Sequence, residues 1–273
     1  MPLAPPNERP LVLLSNDDGF ASEGIRQMRA ALAAFADVIV VAPETEQSAS
    51  SHALSLHRAL RLRTVEPGVF ALDGTPADCV YVALHSLGRV LPRVPNLVVS
   101  GLNHGLNLGQ DVFYSGTVAA AREGALRGIP ALATSAHPRA DFAAVSTMCA
   151  RVAAALIESQ KARPSLRDAA HAPAHGRAGP LLSINVPKDW TGAIRSARLG
   201  TRIYDEVVDF RTDPRGREYL WLGGPGVRHE HLSGSDTEAY DEHVASITAL
   251  VLDLTDPSYT ELLTSLTLQA EGT

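Results

Sequence analysis

The sequence predicts an α/β fold, a mostly parallel sheet with helices on both faces, and three observations carry the prediction. Apolar runs of strand length recur (LVLLS at 11–15, VIVV at 38–41, NLVVS at 96–100), and unbroken runs of this kind suit strands buried on both faces. Stretches with helical spacing separate them: Ile25, Met28, Leu32 and Phe35 lie on one stripe. The resulting strand, helix, strand order is the signature of parallel pairing with right-handed crossovers.

Element by element, residues 11–15 form the first strand and stop at Asn16-Asp17-Asp18-Gly19, residues 21–35 form a helix, and 38–41 a second strand that ends in Ala42-Pro43. Thr75, Pro76 and Asp78 read as N-cap, N1 and N3 of a helix running to about Leu87. The strand at 96–100 is third. A helix opens near Thr117, capped by Ser115 or Thr117, and ends at Gly128-Ile129-Pro130. A short strand at 131–134, a helix over about 141–159 and a strand at 181–186 follow. Residues 161–179 lack periodicity and read as a mobile surface loop, residues 1–10 as a flexible N-terminus, and 196–250 mixes short strands with turns.

Composition narrows the function classes. The 273 residues are 45% hydrophobic and 20% charged, enough apolar content for a sizeable core. A formal charge of −6 argues against a polynucleotide or anionic-membrane binder, though not against a small anion screened by a metal. Two distant cysteines, Cys79 and Cys149, fit neither a disulfide framework nor a thiolate zinc site, and both are expected to be buried. With no basic, apolar leader and no run of 18 apolar residues, a soluble cytoplasmic protein is expected.

Ligands of open α/β sheets bind beyond the carboxyl ends of the strands. Polar clusters stand where the first three strands stop: Asp17-Asp18, then Thr45-Glu46-Gln47-Ser48, then the segment from Gly101 to Asn107 containing Asn103, His104 and Asn107. Each could be an ordinary turn. Yet a helix, not a second hairpin strand, follows Asp17-Asp18-Gly19, and adjacent carboxylates repel unless a cation lies between them. The donors on offer are all oxygens, which suit Mg²⁺ or Mn²⁺ better than Zn²⁺. Ser115-Gly116-Thr117 at a helix N-terminus could cradle a phosphate or simply cap the helix. Phe113, Tyr114 and Tyr204 could stack on a base, although core packing is the simpler account of each. Dinucleotide, P-loop, zincin and nucleophile-elbow motifs are missing. The segment from Phe70 to Thr75 is similar to the D-x-D-G-T of haloacid dehalogenase-like phosphatases, but Ala71 stands where that mechanism needs its nucleophile. His52, His57 and His104 have no ligand spacing.

With these residues in view, the chain resembles the SurE family of metal-dependent 5'/3'-nucleotidases. LLSNDDGFASEGI, VVAPETEQSASSHALSLH, DGTPADCVYVAL, VVSGLNHGLNLGQDVFYSGTVAAAREGAL and GIPALATS look like successive family blocks over about residues 11–135, with SINVP, TRIYDE and SDTEAYDEHVASITAL as later landmarks. The resemblance implies one divalent metal per subunit, Mg²⁺ or Mn²⁺, on Asp17, Asp18, Ser48 and Asn103. It further implies a Rossmann-like core at 11–189 and a β-rich extension at 190–273 that returns to the core and serves homodimer or homotetramer assembly. Two positions depart from the family pattern: Ala49 replaces the usual Gly after the QS pair, and Ala249 the usual Pro. The expected reaction is hydrolysis of nucleoside 5'- and 3'-monophosphates by direct water attack, with Asp17 or Asp18 as base, and Asn107, Ser115, Gly116 and Thr117 as substrate-binding residues. The alternatives are an exopolyphosphatase or broad phosphatase, and a non-catalytic metal and nucleotide sensor.

Overall fold

The computed structural model describes residues 9–162, 178–205, 208–223 and 226–270. Most of the 161–179 loop, and residues 1–8 of the N-terminal segment, therefore lie outside the described residues. A nine-stranded sheet organises the molecule in the order β3-β4-β2-β1-β5-β6-β7-β13-β8. Its strands are β1 (Leu11–Ser15), β2 (Asp37–Pro43), β3 (Leu62–Glu66), β4 (Val69–Leu72), β5 (Leu97–His104), β6 (Ala131–Ala136), β7 (Leu181–Val186), β8 (Ile194–Ser196) and β13 (Ala245–Leu250). From β4 to β7 all pairings are parallel; β3 and β13 pair antiparallel with β4 and β7. The chain winds outward from β1 through β2 to β4, then crosses back to β5 on the other side of β1. The gap between the ends of β1 and β5 is therefore the topological switch point.

Side-chain alternation sends β1 into two cores. Val12 and Leu14 pack with Ile25, Met28 and Leu32 of helix α1 (Glu23–Ala33) and with Val145, Cys149 and Ile157 of helix α4 (Phe142–Ala162). Leu13 faces Cys79 and Val80 of helix α2 (Pro76–Leu84) and Val118 and Ala121 of helix α3 (Gly116–Leu126) on the opposite face. Stretch 142–160 of α4 is long and apolar enough by composition to cross a membrane, but half of it is buried, as in a core helix. Both cysteines are free and buried.

The capping box of α2 forms as expected: Thr75 Oγ1 accepts from the Asp78 backbone N–H at 3.0 Å and the Asp78 carboxylate accepts from Thr75 N at 3.0 Å. The helix stops at Leu84, not Leu87, because His85 leaves helical geometry and Gly88 turns the chain at φ +81°. The β3–β4 hairpin and helix α6 (Thr260–Ala270) are among the elements that have no counterpart in the sequence-based expectation. Within 190–273, β8 and β13 join the main sheet, α5 (Asp236–Asp241) precedes β13, and two antiparallel ribbons stand apart, β9 (Arg202–Tyr204) with β12 (Val227–His229) and β10 (Val208–Thr212) with β11 (Glu218–Leu222).

Candidate functional site

Asp17 and Asp18 follow directly from β1. The turn that holds them is fixed by Asn16, whose Nδ2 donates to Gly19 O and to Ser22 Oγ, both at 2.9 Å. Asp17 is 6% exposed and accepts from the Thr117 hydroxyl. Burial, reinforced by the charge of Asp18, raises its pKa to about 6 even though Thr117 pulls the other way. Asp18 is also raised, chiefly by burial, against a hydrogen bond from His104 N at 3.1 Å. Two neighbouring carboxylates that both resist ionisation form a site whose charged state a cation would stabilise.

The loop after β2 brings Ser48 to the same cavity. Its hydroxyl donates to Glu46 at 2.6 Å, so the oxygen lone pairs remain for a ligand. From β5, Asn103 donates its Nδ2 to Gly105 O at 3.0 Å, which leaves the amide oxygen as its available donor atom. Asn107 is fastened by Ser135 at 2.8 Å and by Asn185, which accepts its backbone N–H at 2.7 Å. Ser115 caps α3 by accepting from Val118 N at 3.0 Å, deciding between the two cap candidates.

A cavity of about 890 Å³ joins these residues: Asp17, Asp18, Ser48, Asn103, Asn107 and Ser115 all line it. Gly116 and Thr117 stand behind Asp17 instead. A Cβ on Gly116 would come within 2.9 Å of Asp17 Cβ, and the Thr117 hydroxyl is committed to the Asp17 carboxylate. The formal charges on the wall are acidic, with Glu23, Glu46 and Asp111 joining the aspartates, and His104 lies among them. Among the described residues no group of three or more His, Cys, Asp or Glu side chains is arranged for a metal. A set of two carboxylates, one hydroxyl and one amide oxygen is of another kind, and its hard oxygen donors fit Mg²⁺ or Mn²⁺.

Of the three aromatics that the sequence offers for base stacking, the structure brings two to the cavity, whereas Asp111, Leu222 and Gly223 had no sequence signal. Phe113 and Tyr114 are exposed rather than packed in the core, and Tyr204 is 39% exposed; Tyr114 and Tyr204 line the cavity. Asp111, Leu222 and Gly223 line it as well. Asp73, in the phosphatase-like segment, is a loop staple: it accepts from Arg61 N at 2.6 Å and pairs with Arg58 and Arg61.

The Ser48 loop carries two features with measurable consequences. Ala49 sits at φ +56°, the left-handed region where a Cβ is strained. Ala49→Gly is expected to stabilise the protein by about 0.5–1 kcal/mol, read as a rise in the urea midpoint at constant slope. Further along, His52 reaches Glu123 at 3.0 Å, and Arg127 donates to the same carboxylate at 2.9 Å. Burial alone would raise the Glu123 pKa, but the hydrogen bonds and charges of His52 and Arg127 outweigh it and hold the group below its ordinary 4.5. The stabilisation is thus present above pH 4.5 and lost as pH falls through the lower folded value. Glu123→Gln should cost about 1–3 kcal/mol at neutral pH and flatten the acid-side fall in Tm.

A doubly wound α/β protein with an acidic, oxygen-lined cavity at its switch point is the class that fold and site define. The family model described as Survival protein SurE matches residues 12–206. A 5'-nucleotidase SurE of Sorangium cellulosum is 56% identical over 248 residues, covering 90% of this chain and 91% of that protein. The protein of the same name from Myxococcus xanthus is 43% identical over 92% of this chain and 90% of its own length. The crystal structure of the SurE protein from Aquifex aeolicus superposes with a TM-score of 0.76 at 31% identity, covering 94% of this chain and 100% of that one. The chain belongs to the SurE family.

Proposed function

We propose that the protein is a metal-dependent 5'-nucleotidase that hydrolyses nucleoside 5'- and 3'-monophosphates to nucleoside and phosphate. The observation that carries this reading is the meeting of Asp17, Asp18, Ser48 and Asn103 in one acidic cavity at the switch point, together with relatives that bear the nucleotidase name. Those four residues would hold one Mg²⁺ or Mn²⁺. When bound, that ion supplies neutralisation of phosphoryl charge and a lowered pKa for attacking water.

The residues of the chain do the rest. Asp17 or Asp18 orients the water and takes its proton. Thr117 is a positioning residue that keeps Asp17 aimed at the cavity through its hydroxyl. Asn107, clamped between Ser135 and Asn185, and Ser115 at the N-terminus of α3 present polar groups to the phosphate, with Gly116 packed behind. No covalent nucleophile is needed. An all-acidic set of formal charges favours a single phosphate over a polyphosphate, since each further phosphate would bring negative charge beside Glu23 and Glu46.

Exposed apolar side chains on the β10–β11 hairpin (Phe210, Trp221, Leu222) and on α6 (Leu262, Leu263, Leu266) support a homodimer or homotetramer built through the C-terminal extension. Free, buried cysteines suit a cytoplasmic protein. Phosphate release from chelator-treated protein, with Mg²⁺ or Mn²⁺ restored, tests the reading across 5'- and 3'-nucleoside monophosphates and a short polyphosphate. Monophosphates are expected to be the better substrates; preference for polyphosphate would select the exopolyphosphatase, and nucleotide binding without release the sensor.

A further inference from the structure

The cavity is far larger than one phosphate needs, and its lining is mixed. Besides Asp17, Asp18, Ser48 and Asn103 it is lined by Tyr114, Tyr204 and Leu222, which contribute aromatic and apolar surface. Exposed tyrosines facing an open cavity are platforms for a flat ring, and stacking on such a ring is favourable whichever base it belongs to.

Tyr204 is held in place by contacts from a distant part of the chain. Its hydroxyl lies 2.7 Å from both carboxylate oxygens of Asp111, which sits in the 3-10 turn at Gly109–Phe113, 93 residues away. Arg202 pairs with the same carboxylate, and its guanidinium carbon stands 5.2 Å from the centre of the Tyr204 ring. The Arg202 backbone N–H donates to Gln110 Oε1 at 2.9 Å. Below these contacts the buried carboxylate of Asp236 accepts from Gly109 N at 2.9 Å and from Gly200 N at 2.7 Å, joining the turn to the strand that carries Tyr204. Tyr114, on the same turn, is anchored by its carbonyl, which accepts from Ser51 N at 3.0 Å. Such a set of contacts lowers the entropy cost of presenting a ring to a ligand.

We propose that Tyr204, with Tyr114, is the subsite for the nucleobase, and that Asp111 and Arg202 are positioning residues that hold Tyr204 in it. The proposal rests on the nucleotidase reading for the phosphate end of the ligand. It makes substrate choice depend on a flat heterocycle and not on the sugar phosphate alone.

The test compares adenosine 5'-monophosphate with ribose 5-phosphate, which lacks the base, and adds calorimetric binding of adenosine, which lacks the phosphate. Tyr204→Ala should lower the ratio of kcat/KM for the nucleotide over ribose 5-phosphate about 10-fold, mainly through KM, and weaken adenosine binding by a similar factor. Asp111→Ala should move the same ratio in the same direction, and Asp111→Asn, which keeps an acceptor for the tyrosine hydroxyl, should restore part of it. A ratio and an adenosine affinity that Tyr204→Ala leaves unmoved would overturn the proposal. Failure of the nucleotidase reading looks different: the wild-type protein would release phosphate from neither substrate, while Tyr204-dependent adenosine binding would still uphold the base subsite.

Discussion

Asp18→Asn is expected to reduce metal-supported phosphate release from nucleoside monophosphates about 1,000-fold while leaving the protein folded. The separation follows from what Asp18 does in each state. Its one backbone contact, the N–H of His104 at 3.1 Å, can be accepted equally well by the amide oxygen of asparagine. Burial already raises the pKa of Asp18, so its ionised form costs stability in the metal-free protein, and a neutral isostere does not. The metal-free Tm should therefore hold or rise slightly. What the variant loses is half of the carboxylate pair: the wild-type protein should gain about 2.7 kcal/mol of stability at a metal concentration 100 times its Kd, and the variant much less. Differential scanning fluorimetry with and without Mn²⁺, beside a phosphate-release assay, reads both effects. A variant that unfolds, or one that keeps turnover, would contradict the role given to Asp18.

Gly24→Ala is expected to damage both stability and turnover although Gly24 makes no proposed contact with substrate or metal. A Cβ at this position in the first turn of α1 would lie 1.9 Å from Leu102 O and 2.9 Å from its carbonyl carbon. Those are backbone atoms of β5, immediately before Asn103, so no side-chain rotation can make room. Either α1 lifts from the sheet, disturbing the packing of Ile25 and Met28 in the core, or the end of β5 moves and takes Asn103 with it. Overpacking of this kind costs about 1–3 kcal/mol, and a displacement of about 1 Å at a ligand can cost about 100-fold in rate. Chemical denaturation and the Mn²⁺ concentration needed for half-maximal turnover report the two consequences separately. Unchanged values of both would mean that close approach of α1 to β5 does not position Asn103.

The core was legible from sequence because its strands are buried on both faces and therefore read as unbroken apolar runs. The ends of those runs exposed Asp17, Asp18, Ser48 and Asn103 as polar residues brought to a common rim. Edge elements lacked that signal. Along β3 the residues are exposed or half-exposed, so Leu62–Glu66 has no apolar run, and α6 leaves Leu262, Leu263 and Leu266 exposed instead of burying one face. The aromatics Tyr114 and Tyr204 were visible as candidates, but what holds Tyr204 in place was not. Asp111 and Tyr204 meet only through the path of the C-terminal ribbons, and local periodicity carries no trace of a contact across 93 residues. Thr117 illustrates a subtler limit: its position at a helix start permits a ligand contact or a support role, and only the fold turns its hydroxyl onto Asp17.

The most direct test of a metal-dependent nucleotidase at the β1–β5 switch point is a titration of Mn²⁺ into metal-free protein, following ion binding and phosphate release from adenosine 5'-monophosphate in the same samples. No release is expected before metal is added, then one saturation curve shared by binding and turnover, with both lost in Asp18→Asn. Full turnover without metal, or saturable metal binding with no phosphate released, would contradict that expectation.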